Sequence, residues 1–427
     1  MKTMDISHRH RFDAITPLFG ALATVLGSLL VGVSPADAQE RFVPSPNAVV
    51  LSASVHAASG RPQSLRGLDK AWRSQPQHLP SALAYARAVF TLGLTEGDLR
   101  WYGSAKAALT PWWTAADLPA EAYFLRGLVK QGFHGFQDGL QDIQRAIALE
   151  PARPEFWSWR FALHLLLADM SAAHQDVAEM ERLFGPEEAQ VYRAVLLYRT
   201  GQPSPAVNLL TQAMASPQAQ DASSQDWLGF HLGEAHRVAG QPARALAVWG
   251  QRLQASPQSH LIRLSLADLL NQQGQYRQAK TVAMADTPSG DAPNKTANLT
   301  DALLMQAVLA SRGLKDPDEG RLASQLQARL QTQALRQEAL IERPKLIYQI
   351  AYGRDLKAGL ALSVDNWQLQ KEPPDALLFV QAALALGQAR AAEPVVNWAD
   401  KTGYTEPQLS AMLAQLKSHP SWTRGRP

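Results

Sequence analysis

The stretch Asp138–Pro151, DGLQDIQRAIALEP, places small residues, a large aliphatic residue and a proline at the intervals of a packed helix. Gly139 and Ala146 are separated by about two helical turns, so both lie on one face. Ile143 lies four residues after the glycine and fills the space beyond a close helix crossing. Pro151 ends the helix because it cannot donate the internal hydrogen bond. The stretch therefore predicts the second helix of an antiparallel pair.

The same pattern recurs along the chain, and Gly127 supplies the small residue that faces Gly139 from the preceding helix. Further glycines follow at intervals of 34 to 40 residues, most of them with alanine five positions later. We expect the glycines near 201 and 240 to take the left-handed conformation that ends the first helix of a pair. The recurring glycines are Gly201, Gly240, Gly274, Gly313, Gly353 and Gly387.

These columns resemble the tetratricopeptide repeat, a helix–turn–helix unit of about 34 residues. The resemblance covers roughly residues 65–418 and implies an all-α superhelical solenoid of about nine helix pairs. A lone helix within SLRGLDKAWRSQP is expected before the pairs, and a closing helix at 406–417 after them. Runs rich in Ala, Leu, Gln and Arg favour helix, and no strand pattern competes with them. The match is strong in 119–151, 187–217, 226–259, 260–288 and 373–404, and weaker in 81–114, 154–186, 298–333 and 334–372.

The first residues have the pattern of a secretory signal. A basic-leaning start precedes an apolar, uncharged run at 14–33, and Ala36 and Ala38 stand at the small positions of a cleavage site. Cleavage after Ala38 predicts a periplasmic or secreted protein. An uncleaved membrane anchor is the alternative, because a run of about 20 apolar residues can span a bilayer.

The domain organisation that follows has four parts. It consists of a signal peptide at 1–38, an extended lead-in at 39–63, the solenoid at 64–418 and a polar tail at 419–427. The whole-chain pattern also resembles exported repeat proteins of proteobacteria, a resemblance that implies no particular activity.

Composition excludes several classes of site. The chain has no cysteine, so disulfides, thiolate metal sites, cysteine nucleophiles and a lipoprotein anchor are ruled out. The net charge is +3, and charges of both signs are scattered rather than clustered as in a nucleic-acid binder. Neither a phosphate-binding loop nor a GxSxG, HExxH or CxxC motif occurs. His231 and His236 are five residues apart, a spacing that does not put two ligands on one helix face. We therefore predict no metal, no cofactor, no nucleic acid and no catalytic residue.

The remaining candidate is the concave surface, which the first helices of successive pairs line in folds of this type. It predicts a non-catalytic scaffold that binds a protein or peptide partner, such as an envelope or membrane complex. An ordinary solvated inner face is the competing interpretation. The predicted groove residues are Tyr198, Arg199, Glu234, Arg237, Asp268, Asn271 and Gln272.

Two other functions stay open at this point. A periplasmic enzyme or binding protein for cell-wall glycan or peptide could use Trp112 and Trp113 as a stacking platform, although the pair is more typical of a core plug between repeats. Such an enzyme would also need two carboxylates that converge on one cleft. The third possibility is a membrane-tethered assembly scaffold that keeps its N-terminal helix.

Overall fold

The computed structural model describes residues 63–96, 100–219, 221–285, 296, 299–335 and 343–423. The predicted signal segment with its cleavage site at Ala38, almost all of the lead-in and the end of the polar tail lie outside these ranges. Every regular element within them is helical. None of the helices described there combines the length and apolar character that crossing a bilayer requires.

Nine helix pairs follow one another in the described ranges, as the repeat pattern predicts. They are preceded by the single helix α1 (Gln63–Ser74) and followed by α20 (Pro407–Ser418) and α21 (Pro420–Thr423). Helix α16 continues into a π-helical turn at Tyr348–Tyr352, and a 3₁₀ turn at Ala389–Ala392 leads into α19. The pairs are α2 (Leu79–Glu96) with α3 (Arg100–Leu109), α4 (Ala120–Gly132) with α5 (Phe136–Leu149), α6 (Pro154–Leu166) with α7 (Met170–Phe184), α8 (Pro186–Arg199) with α9 (Pro203–Ala215), α10 (Ala222–Val238) with α11 (Pro242–Ala255), α12 (His260–Gln272) with α13 (Tyr276–Ala283), α14 (Asp301–Leu314) with α15 (Glu319–Leu335), α16 (Arg343–Ile347) with α17 (Leu356–Leu369), and α18 (Pro373–Ala385) with α19 (Glu393–Thr402).

The helices stack in chain order, each packing mainly against its neighbours in sequence. This arrangement confirms the predicted all-α solenoid of tetratricopeptide-like pairs. The core is correspondingly long and is built from the facing sides of successive pairs. Trp112 and Trp113 are half-buried and pack against this core, as expected for a plug between repeats. Six further tryptophans of the described ranges are buried: Trp157, Trp159, Trp227, Trp249, Trp367 and Trp398.

The turns within the pairs use the left-handed conformation at most of the predicted glycines. Gly201, Gly240, Gly274 and Gly387 have φ values of +79°, +71°, +70° and +64°. In the two later, weaker units the left-handed residue is displaced from the glycine to Lys315 or Arg354. Gly313 instead lies within α14, where the ring of Tyr276 packs so closely that it leaves no room for a Cβ.

The crossing of α4 and α5 depends on the two glycines of the opening pattern. A Cβ at Gly127 would lie 2.8 Å from the carbonyl oxygen of Gly139, and a Cβ at Gly139 would lie 2.8 Å from that of Gly127. Both obstacles are backbone atoms, so they cannot move aside as a flexible side chain would. The predicted close approach of the two helices is confirmed.

We expect Gly139→Ala to lower the free energy of unfolding by roughly 1–3 kcal/mol, because α4 and α5 must separate to admit the methyl group. Gly250→Ala is the matched control, since Gly250 lies inside α11 and a Cβ added there would have no neighbouring atom within 4 Å. That change should stabilise the chain by about 0.5–1 kcal/mol through helix propensity. Urea unfolding followed by circular dichroism measures both. A Gly139 variant as stable as the control would show that the crossing tolerates a larger side chain.

The stack closes on itself, a feature that the repeat pattern leaves open. The backbone N–H of Lys371, just before α18, donates to the carbonyl of Leu166 at the end of α6 with a distance of 2.8 Å. A Cβ at Gly201 would lie 2.1 Å from the carbonyl oxygen of Gly403, so the α8–α9 turn touches the segment between α19 and α20. The C-terminal helices therefore pack against the middle of the array, and the concave surface becomes the wall of an interior space.

Candidate functional site

The interior space contains a cavity of about 300 Å³ that is lined by the first helices of seven successive pairs, α6 to α18. Each helix contributes residues spaced three or four apart, which lie on one face of a helix. On α12 this face carries Leu261, Leu264, Ser265, Asp268 and Gln272. The helical period therefore decides which side chains reach the cavity, and the closure of the stack brings the helices around it.

The structure brings six of the seven predicted groove residues to this cavity, namely Tyr198, Arg199, Glu234, Arg237, Asp268 and Gln272. The seventh, Asn271, lines an adjoining cavity of about 380 Å³ between α12 and α14. Asp268, Gln272 and Leu309 border both cavities. Tyr198 and Arg199 are buried, so no extended chain can lie across them on an open surface.

The arginines of the cavity are all engaged by carboxylates. Arg199 Nη2 lies 3.0 Å from Glu372 Oε1, across the contact between α8 and the start of α18. Arg237 Nη2 lies 2.8 Å from Glu234 Oε2, and its Nη1 lies 3.7 Å from Glu406 Oε1. These two arginines thus connect the central helices to the C-terminal segment.

Arg343, on α16, completes the set of lining arginines. Its Nε donates to Asp375 Oδ1 at 2.8 Å, and its Nη2 donates to Asp375 Oδ2 at 3.2 Å. Asp375 is buried and also accepts from Gln370 Nε2 at 2.7 Å. Its negative charge is therefore fully committed to holding α16 against α18.

Asp268 differs from the other carboxylates that line the cavity. Its two oxygens accept hydrogen bonds from neutral amides, Gln272 Nε2 at 2.8 Å and Gln306 Nε2 at 3.1 Å. Among the residues that the structure describes, no cationic group forms an ion pair with it. Burial raises the pKa of Asp268 above its usual value, and the fields of Arg237 and Arg343 oppose that rise. This side chain is a carboxylate with capacity for a cationic partner.

More than half of the residues that line the cavity are apolar, and several of these are not fully shielded from solvent. Six large aliphatic residues line it while remaining partly exposed: Leu261, Leu264, Leu309, Ile347, Leu377 and Leu378. Apolar side chains left accessible together in one concavity mark sites where another molecule binds.

A buried histidine, His231, also lines the cavity. Tyr198 Oη and His231 Nδ1 form a buried hydrogen bond of 2.8 Å. Burial, with a smaller contribution from Arg199, lowers the pKa of His231 to about 3. His231 is therefore neutral at physiological pH and serves as a packed, hydrogen-bonded residue. In the described ranges, no cluster of three His, Asp or Glu side chains is arranged to hold a metal ion.

Sequence reasoning missed the residues that reach the cavity from the C-terminal third, above all Arg343, Glu372 and Tyr404. Arg343 lies in the unit where the repeat match is weak, so its offset within the repeat could not be assigned. Glu372 precedes α18 and Tyr404 follows α19, outside the helix faces on which the groove offsets are defined. Only the closure of the stack moves these two positions into the interior.

Comparisons with known proteins give structural similarity alone. No protein-family model matches the sequence, and no curated protein matches it. A tetratricopeptide repeat protein from Parabacteroides merdae is 11% identical, with a TM-score of 0.31 over 70% of this chain and 99% of its own. A human IFIT1 dimer with PPP-AAAA is 11% identical, with a TM-score of 0.40 over 79% of this chain and 88% of its own. A human IFIT1 dimer with m7Gppp-AAAA is 12% identical, with a TM-score of 0.43 over 83% of this chain and 89% of its own. Likenesses with TM-scores below 0.5 do not indicate what this chain binds.

Proposed function

We propose that this protein is an exported, non-catalytic helical-repeat scaffold that binds a protein or peptide partner on its inner surface. The observation that carries the proposal is the cavity between the seven first helices, where partly exposed leucines lie beside polar side chains. Apolar walls supply binding energy, and a few placed polar groups fix orientation. The secretory pattern that ends at Ala38 supports a location in the bacterial envelope, periplasmic or secreted.

The accessible part of the inner surface is suited to a peptide backbone. Gln272, Gln381 and Gln408 are exposed lining residues, and each amide can both donate and accept a hydrogen bond. A peptide offers donors and acceptors in alternation along its length, and these glutamine amides can pair with either kind of group. Binding of this kind places the partner at the cavity mouth and leaves the buried ion pairs intact.

The arrangement favours binding over glycan hydrolysis. General acid and base catalysis on a glycan needs two carboxylates that are free to act on the same bond. Of the carboxylates that line the cavity, Glu234 and Glu372 are held by Arg237 and Arg199. Trp112 and Trp113 belong to the joint between repeats and do not line the cavity, so they offer it no stacking platform.

Site-specific photocrosslinking tests the proposal. The photoreactive amino acid p-benzoyl-phenylalanine would replace Gln272, which is exposed at the cavity, or Gln278, which is exposed on the second helix of the same pair. In cells that produce the protein, we expect a discrete crosslinked partner from position 272 and none from position 278. Equal crosslinking from both positions, or none from 272, would contradict binding on the inner surface.

A further inference from the structure

We propose that the cavity recognises a lysine side chain flanked by apolar residues in the partner peptide, with Asp268 as the acceptor of its charge. This inference rests on the proposed function and names the chemistry of the partner. A carboxylate beside an aliphatic wall fits an ammonium group at the end of an apolar stem.

The charge balance of the cavity favours a cationic group. Three arginines, Arg199, Arg237 and Arg343, line the cavity. Five carboxylates lie around these arginines. Glu234, Asp268 and Glu372 line the cavity, whereas Asp375 and Glu406 are outside the lining and pair with Arg343 and Arg237. The lining alone balances three arginines against three carboxylates. Because Arg199, Arg237 and Arg343 are already paired with Glu372, Glu234, Glu406 and Asp375, the charge of Asp268 is left without an ion pair among the described residues.

The position of Asp268 makes it the point where this charge can be neutralised. The other four carboxylates are each paired with an arginine, whereas the hydrogen bonds that Asp268 accepts from described side chains come from the amides of Gln272 and Gln306. It borders both the interior cavity and the adjoining one, so its carboxylate is reachable from two sides. A charge-assisted hydrogen bond from an ammonium group is stronger than one from a neutral amide.

The apolar contacts and the exposed amides of the lining indicate that the ammonium group belongs to a peptide. Leu264 precedes Asp268 by one helical turn, and Leu309 of α14 borders the same two cavities as the carboxylate, so apolar neighbours of a lysine have surfaces to contact. Backbone groups of the peptide would meet the exposed amides of Gln272, Gln381 and Gln408 at the cavity mouth.

Binding of defined peptides to the purified chain tests this inference. The probe is a fluorescein-labelled, capped Gly-Leu-Lys-Leu-Gly peptide, and its partner probe carries norleucine in place of lysine. We expect fluorescence anisotropy to show that the lysine peptide binds at least roughly tenfold more tightly than the norleucine peptide. Asp268→Asn, which keeps the shape and the acceptor oxygen, should remove that difference.

The controls separate charge recognition from general effects. Asp117→Asn removes an exposed carboxylate that does not line either cavity and should leave the preference for lysine unchanged. Equal binding of the two peptides by the unmodified chain, no binding of the lysine peptide, or a preference that survives Asp268→Asn would each overturn the inference. Octylamine that competes as strongly as the lysine peptide would also overturn it, because the site would then recognise a small amine. None of these results would affect crosslinking from position 272, which tests the proposed function separately.

Discussion

Gly201→Ala is expected to lower the free energy of unfolding by roughly 2–5 kcal/mol and to open the closed stack. Two penalties act together at this position. The backbone has φ of +79°, a conformation in which a Cβ is disfavoured. The new methyl group would also lie 2.1 Å from the carbonyl oxygen of Gly403, a backbone atom on the C-terminal side of the closure. The segment after α19 must therefore move away from the α8–α9 turn.

Gly274→Ala separates these two penalties. Gly274 has nearly the same conformation, with φ of +70°, but a Cβ added there would have no neighbouring atom within 4 Å. The free energy of unfolding of the Gly274 variant should therefore fall only by the conformational cost, about 1–2 kcal/mol. Urea unfolding gives the stabilities, and small-angle X-ray scattering gives the radius of gyration. We expect the radius to increase for the Gly201 variant alone; equal losses with unchanged radii would show that the contact with Gly403 does not hold the stack closed.

Arg199→Met is expected to cost about 3–5 kcal/mol of folding free energy, because it leaves Glu372 buried without its cation. The two residues are separated by 173 positions in the chain, so their pair joins distant parts of the array. Both are at least nine-tenths shielded from solvent, which keeps the screening by water small. The burial that makes the pair costly to form also makes one partner costly to remove alone.

A double variant and an exposed pair complete this test. Arg199→Met combined with Glu372→Met should recover much of the loss, since no uncompensated charge then remains in the interior. Lys417→Met removes one partner of the exposed Lys417–Asp400 pair, which has an N–O distance of 3.4 Å, and should cost less than about 1 kcal/mol. Thermal and urea unfolding measure all three variants. A single Arg199 variant as stable as the Lys417 variant would mean that the buried pair does not hold α8 to α18.

Not every residue that lines the cavity can be replaced to test binding on the inner surface. Arg199 and Arg237 were predicted as groove residues, and each also connects the central helices to the C-terminal segment. Replacing either residue would disturb the closure and the binding surface together. Asp268 and Gln272 border the cavity and form no ion pair with the C-terminal segment among the described residues, so replacing them leaves the ion pairs of the closure in place.

The sequence by itself determines the helix pairs of this protein. Gly127 and Gly139 act across one crossing, and Gly274 acts at one turn, so their effects arise between segments that are close in the chain. Short-range packing and backbone conformation are enough to specify such units. The same spacing identified Asp268 and Gln272 as inner-surface residues, because a helix face repeats with a fixed period.

The tertiary structure alone decides that the stack closes and that its concave surface surrounds a cavity. Closure depends on the small rotation between each pair and the next, summed over seven pairs, and no single segment carries that sum. The contacts that result join Leu166 to Lys371, Arg199 to Glu372 and Gly201 to Gly403. Because these partners lie far apart in sequence, their meeting follows only from the accumulated curvature of the whole array.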